Sequence, residues 1–484
     1  MHNDSLKSVA AKGIFWSAVD KFAVQIGQFV VSVLLARILL PEDFGLIGML
    51  YIFIAISQTF IESGLGTGLI QRQSRSDIDF STLFVFNLIV SCFFYLVLFF
   101  LAPFISSFFE QPRLTDLTRI LGLSLLLNAV GIVQRTKLTI AIDFKSIAKS
   151  NVIGMITGGL CGVIAAVNEF GVWSLVVQML MSSLASSVSL WFLSNWRPSI
   201  AFSKKSFESL FSYGSKLLMV GLYAQLLNNI YNICLGKFYS TASLGYYTRA
   251  KNLADISAGT IVSVLQQATF PILTSVQHDT EKLISICSRM IRMSAFFIVP
   301  IMTLIALLAK PIVVLLLTDK WIGLIPLLQW LVFSRIFLPL STMNLNLLNA
   351  VGRSDLYLKV DLSKLPITII VMVITIPLGV KAIVIGHVFT SALFFVINAY
   401  IPGKLYGYGP LHQLRDILPF FLATMVMAIL VFALTCFINN LILQLLFGGV
   451  LGVVSYLFTG WVLKLEELNE VWKLLLKFKK KIKS

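Results

Sequence analysis

Apolar residues recur along this chain in runs of about twenty, between positions 13 and 463, with short polar stretches between them. A run of that length forms a helix able to cross a hydrocarbon core about 30 Å thick. Because a helix satisfies its own backbone hydrogen bonds, it can remain there. The pattern predicts an all-α polytopic membrane protein of about fourteen transmembrane helices, at 13–39, 43–70, 80–108, 116–138, 148–168, 171–193, 208–236, 242–272, 286–317, 322–350, 361–379, 381–401, 413–437 and 441–463. The first run is too long for a signal core and lacks a small-residue cleavage site, so it is expected to be retained. No loop between spans has room for a folded soluble domain, which places the activity inside the membrane.

Composition agrees: 57% of the 484 residues are hydrophobic and 12% charged, where a soluble domain carries about 25% charged residues. A net charge of +16 raises the question of nucleic acid, and position answers it. With the N-terminus in the cytoplasm, most of the 38 basic residues fall at cytoplasmic loops and span ends, including Lys7, Arg72, Arg135, Lys137, Lys204, Lys282, Arg353 and the group from Lys464 to Lys483. That asymmetry predicts both termini in the cytoplasm and no nucleic-acid partner. The end of the chain, Trp472 to Lys483, mixes lysines with Leu474, Leu475, Leu476 and Phe478. It reads equally as an amphipathic helix drawn to anionic lipid and as a solvated flank. The five cysteines have neither redox nor metal-ligand spacing and read as packing residues, so no metal or cofactor is expected.

An internal repeat emerges at an offset of 200 residues. Gln25 meets Gln225, Gln28 meets Asn228, Ser32 meets Asn232, Arg37 meets Lys237 and Gly45 meets Gly245. Six spans separate the copies, an even number, so both enter from the same side and are related by an axis along the membrane normal. Two parallel six-helix lobes are expected, at 1–206 and 207–402, followed by a helix pair at 403–464 and a basic cytoplasmic tail at 465–484.

Candidate chemistry comes from polar groups at membrane depth, which are costly there. The first span carries Ser17, Lys21, Gln25, Gln28 and Ser32 on one face, and the seventh repeats it with Gln225, Asn228 and Asn232. The second adds Gln58 and Glu62, the eighth Arg249, Lys251, Asn252 and Asp255, and the tenth Arg335, Asn344, Asn346 and Asn349. Amides and hydroxyls at such positions often serve only to bond helices together. Cations tilt toward a ligand, because a buried cation needs an anion or water; Asp20 and Asp255 are the local partners of Lys21 and Lys251. Candidate substrate-binding residues are therefore Lys21, Gln25, Gln28, Gln225, Asn228, Asn232, Arg249, Lys251 and Arg335, and candidate ion-coupling acids are Glu62 and Asp255. His387, alone among apolar residues, reads as a packed histidine.

Several segments resemble a known family: LLARILLPEDFG from Leu34 to Gly45, SGLGTGLIQR from Ser63 to Arg72, QHDTEKL from Gln277 to Leu283, DKW at Asp319, IPLLQ at Ile325 and AVGR at Ala350. In order and spacing they resemble polysaccharide transporters of the colanic-acid-exporter and O-antigen flippase type, in the superfamily that also holds MATE drug exporters and peptidoglycan-precursor flippases. The resemblance implies a MATE-like fold and no enzymatic activity. It implies a flippase in the bacterial inner membrane that moves an undecaprenyl-pyrophosphate-linked oligosaccharide repeat unit to the periplasmic leaflet, by ion-coupled alternating access of the two lobes. The product would feed lipopolysaccharide, capsule or exopolysaccharide assembly. Implied partners are the lipid-linked oligosaccharide, membrane lipids, a glycan polymerase and a chain-length regulator. In the peptidoglycan-precursor flippases spans one and eight supply cavity arginines, which by helix correspond to Lys21, Arg249 and Lys251. The alternative is a MATE-type multidrug or small-cation antiporter, which would prefer acids in its cavity; here Lys21, Lys216, Arg249, Lys251 and Arg335 outnumber Asp20, Glu62 and Asp255. A glycan polymerase or ligase would need catalytic side chains and an external loop, and neither pattern is visible.

Overall fold

The computed structural model describes residues 2–62, 64–199 and 201–473. Every extended element among them is helical. In chain order these are α1 (His2–Ile38), α2 (Pro41–Glu62), α3 (Leu65–Gln71), α4 (Asp77–Phe109), α5 (Leu114–Leu121), α6 (Leu123–Ile140), α7 (Phe144–Val167), α8 (Trp173–Leu193) and α9 (Lys204–Phe238). There follow α10 (Thr241–Ser275), α11 (Thr280–Leu307), α12 (Ala309–Leu317), α13 (Ile325–Ala350), α14 (Ser354–Leu362), α15 (Lys364–Thr375), α16 (Val380–Tyr406), α17 (Pro410–Phe437) and α18 (Leu441–Val462). Each of the fourteen predicted runs is helical. Among the described residues twelve segments are long and apolar enough to cross a membrane. The seventh and eighth runs correspond to α9 and α10, 35 residues each and long enough to cross, which are not among those twelve.

Some runs are broken, and the breaks have local causes. The run 43–70 divides into α2 and α3 at Gly64, whose φ of 67° is left-handed and whose missing Cβ would stand 2.8 Å from the Leu217 Cβ. Only glycine meets both demands. The run 286–317 divides at Leu308, whereas Pro300 and Pro339 lie inside continuous helices.

The chain folds as two compact units, residues 1–245 and 246–484. In the first, α9 packs on α2, α3 and α4. Polar bonds fasten the connection that leads into it. Asp79, 5% exposed, accepts from Arg72 Nη1 at 3.0 Å, from the Ser76 backbone N–H at 2.8 Å and from the Ser206 hydroxyl at the start of α9. The Ser203 N–H donates to Thr82 Oγ1 at 3.0 Å, and the Ser81 and Ser199 hydroxyls are 2.8 Å apart. The Ser76 hydroxyl donates as well, at 2.9 Å, and a carboxylate with four donors is stable where water is scarce.

Two seams bring backbones close. Along α7, Gly154, Gly158 and Gly162 face α8, and a Cβ at Gly158 would lie 2.6 Å from the Gln178 carbonyl oxygen. This is the small-residue spacing by which membrane helices approach. At the starts of α2 and α10, a Cβ on Gly45 would fall 1.9 Å from Thr241 O, and one on Gly245 would fall 1.8 Å from Pro41 O. The contact is reciprocal: 41 and 241, and 45 and 245, are the same positions at an offset of 200.

In the second unit α11 packs on α13 and α17, α13 on α16, and α17 on α18. Asn344 and Gln413, both fully buried, exchange amide hydrogen bonds at 2.9 and 2.7 Å. Asn344 thus joins α13 to α17 rather than lining a polar path. Following α18, Glu466 and Glu467 bind Arg292 at 2.9 and 3.0 Å, and Glu470 binds Arg289 at 3.0 Å. The basic stretch beyond Lys473 lies outside the described residues.

Candidate functional site

In the first unit an open-sided cavity of about 760 Å³ is lined by α2, α3, α6, α8 and α9. Its charged lining residues are Glu62 and Arg135. Gln58, one turn before Glu62 on α2, donates from Nε2 to Glu62 Oε1 at 3.1 Å, while its Oε1 is buried with no hydrogen-bond partner among the described residues. Arg135, at the end of α6, is held by a relay: its Nη2 donates to Asn151 Oδ1 at 2.7 Å, and Asn151 Nδ2 donates to both oxygens of Asp20 at 3.1 and 3.0 Å. Asp20 and Glu62 both attract the guanidinium.

In the sequence Arg135 reads only as part of the cytoplasmic positive charge, and Asn151 carries no signal of its own. The signal that finds them is spatial. Asp20 lies 131 residues from Asn151, and it is paired there rather than with its neighbour Lys21. Lys21 and Gln28 are exposed and Gln25 is half-buried. Lys21 stands near the start of the apolar segment Val19–Ile38, at its edge rather than at depth.

The stripe of α9 is partly self-contained. Asn229 Nδ2 donates to the backbone oxygen of Gln225 at 3.0 Å and to its Oε1 at 3.3 Å, and Asn232 Nδ2 reaches Asn229 Oδ1 at 3.5 Å. Asn229, outside the repeat-matched stripe, is buried, as is Asn232, while Asn228 is exposed.

In a second cavity of about 900 Å³ in this unit, lined by basic and aromatic residues, the cations are already engaged. Its Arg75 caps the carbonyls of Leu69 and Ile70 at 2.9 and 2.6 Å, and its Arg197 binds those of Ser194 and Trp196. Its Lys137 lies over Phe80 and bonds Asp77 at 3.3 Å.

In the second unit Arg335 of α13, 8% exposed, forms an ion pair with Asp255 of α10 at 2.5 Å. Lys251, one turn before Asp255, feels the charges of both partners. His387 of α16 lies within electrostatic reach of Arg335 and Lys251. Arg249 is 7% exposed on the same helix as Lys251. The structure thus brings Lys251, Asp255 and Arg335 into one group, where the sequence paired only Lys251 with Asp255. That group holds two cations and one acid, Lys251 and Arg335 with Asp255. Among the described residues no group of His, Cys, Asp and Glu is arranged to hold a metal.

Comparison with known proteins places this geometry in context. The chain is similar to the teichuronic acid biosynthesis protein TuaB of Bacillus subtilis, 22% identical over 354 residues covering 73% of each chain. It is similar to the succinoglycan biosynthesis transport protein ExoT of Rhizobium meliloti, 25% identical over 68% of this chain and 67% of that one. It also matches the lipopolysaccharide biosynthesis protein WzxC of Escherichia coli, 24% identical over 74% of each. Among solved structures, the lipid II flippase MurJ in an inward closed conformation superposes with a TM-score of 0.78 at 15% identity, covering 93% of this chain and 98% of that one. An inward-facing MATE multidrug transporter gives 0.64 at 18% identity, covering 79% and 94%. These likenesses establish a MATE-like polytopic fold. The profile of the family described as polysaccharide biosynthesis protein matches residues 34–326, more than half of the chain, and the protein belongs to that family.

Proposed function

We propose that this protein is a flippase that moves an undecaprenyl-pyrophosphate-linked oligosaccharide repeat unit from the cytoplasmic to the periplasmic leaflet of a bacterial inner membrane, for lipopolysaccharide, capsule or exopolysaccharide assembly. The observation that carries the reading is the charged group inside the second unit, Lys251 and Arg335 beside Asp255, with Arg249 buried on the same helix as Lys251. A pyrophosphate bears about two negative charges and is matched by such a group where the dielectric is low. The names of the relatives, all in polysaccharide assembly or transport, support the same substrate class. In this reading the lobes at 1–206 and 207–402 alternate in access, both termini are cytoplasmic, and a polymerase and chain-length regulator take the product onward.

Coupling to an inward proton or sodium gradient belongs to the proposal. Glu62 is the better-placed acid, because it lines the cavity, whereas Asp255 must first release Arg335. The same Glu62 is the observation that favours the alternative, a cation antiporter of the drug-exporting kind. Deletion of the gene decides between them. The flippase reading expects lipid-linked repeat units to accumulate on the cytoplasmic face, with rescue by wild type and at least ten-fold less rescue by Lys251→Gln or Arg249→Gln. A deletion that changes drug susceptibility and leaves glycan intermediates at their normal level overturns it.

A further inference from the structure

The cavity in the first unit differs in chemistry from the basic group of the second. Glu62 and Arg135 cancel, so its charged lining is neutral overall. A neutral cavity is a poor match for a pyrophosphate, which needs a surplus of cations. What it offers is a dense mixture of hydrogen-bonding groups. Thr59, Thr136, Thr139 and Ser187 donate their hydroxyl protons to the carbonyls of Ala55, Ile132, Arg135 and Leu127 at 2.6–2.9 Å. Their lone pairs therefore remain as acceptors. Gln58 is at the same wall, its Oε1 buried and unpartnered among the described residues, so that a small turn of the side chain would offer an acceptor to a ligand. Asn128 brings an amide with both donor and acceptor atoms.

Arg135 supplies the donors. Asn151 takes one end of the guanidinium and is itself fixed by both oxygens of Asp20, so the fork is oriented before any ligand arrives. Preorganised, planar donors suit vicinal hydroxyl or carboxylate oxygens, which a mobile lysine would serve less well. Ile70, Ile132, Leu217 and Leu218 add apolar wall for the C–H faces of a ring. At about 760 Å³ the cavity falls within the roughly 300–1,000 Å³ of small-ligand sites.

We propose that this cavity is a glycan subsite, which recognises the sugars of the lipid-linked substrate through Arg135, Gln58 and Asn128 and so contributes specificity for the saccharide rather than for the pyrophosphate. The assignment rests on the flippase reading and deepens it. Asp20 and Asn151 are positioning residues that act through Arg135.

The test measures binding of two lipids to the purified full-length protein in nanodiscs: undecaprenyl pyrophosphate, and the lipid-linked oligosaccharide that accumulates in cells lacking the gene. Wild type should bind the sugar-bearing lipid at least ten-fold more tightly. Arg135→Gln should remove most of that advantage and Gln58→Leu about three- to ten-fold of it, both leaving affinity for undecaprenyl pyrophosphate within two-fold. Arg135→Lys keeps the charge and loses the fork; it should lose the sugar advantage too. Thermal unfolding of each variant identifies any that fail to fold, and retained affinity for the sugar-free lipid is a second check. Equal weakening of both lipids, or unchanged preference in all three variants, overturns the glycan subsite while leaving the flippase reading in place. A wild-type protein that binds neither lipid overturns the flippase reading itself.

Discussion

Gly45 and Gly245 offer a sharp test of packing at the start of α2 and α10. Replacing either by alanine sets a Cβ 1.9 Å from Thr241 O or 1.8 Å from Pro41 O, where real Cβ atoms do not come within 3.0 Å. The obstructing atoms are backbone, so no rotamer change relieves the clash. The two helix starts must part by about 1 Å or more, and overpacking of this kind typically costs about 1–3 kcal/mol. At 1.4 kcal/mol per factor of ten, that raises the ratio of open to closed seam by about 5- to 150-fold. Because the contact is reciprocal, one alanine opens the space the other needs, and the double variant should cost clearly less than the sum. Leu244, fully buried beside this seam, serves as the reporter. In a background with the native cysteines replaced, maleimide labelling of Leu244→Cys should accelerate by the same factor in each alanine variant, since labelling of a transiently exposed site follows the open population. Unchanged labelling in both single variants, or strictly additive effects in the double, would refute the reasoning.

Other expectations follow from the charge and amide pairs. Asp255→Asn should destabilise more than Arg335→Gln, because it strands a guanidinium 10% exposed, while the reverse change strands a carboxylate 42% exposed; chemical denaturation of the three variants, the double included, checks the order. Asn344→Leu or Gln413→Leu should each cost about 1–2 kcal/mol by orphaning a buried amide, and the double substitution should recover part of it in the same measurement. At the exposed end of α4 the Lys237 ammonium, 2.8 Å away, holds the Glu110 carboxyl below the ordinary glutamate range. A depressed acid gives stability that is present above its unfolded value and lost as pH falls through the folded one. Unfolding of wild type should therefore become slightly easier below about pH 4. Glu110→Gln should remove that increment, as a thermal melt at pH 3.5 and pH 7 will show.

How far the chain could be read in advance depended on the kind of information. Helix existence and span order were legible because a run of apolar residues has one stable solution in a bilayer. The repeat was legible as well, and Gly45 and Gly245 proved to be in contact with each other's partners. Rotation about each helix axis was not legible. Asn344 looked like cavity lining and is bonded to Gln413, while Arg135 looked like loop charge and faces the cavity. Asp20 was assigned to Lys21 by proximity along the chain, although its bonds go to Asn151 on α7. Such pairings join residues more than a hundred positions apart, and no local pattern encodes them.

The fastening around Asp79 also bears on the order in which the protein is made. Its partners Arg72 and Ser76 emerge from the ribosome almost together with it, so the carboxylate has donors from the start. Ser206 emerges 127 residues later, after six spans have been inserted. That last bond therefore cannot close until the residues of the first six spans have all been made. The corner of α3 and α4 is thus a joint whose parts are made at two different times.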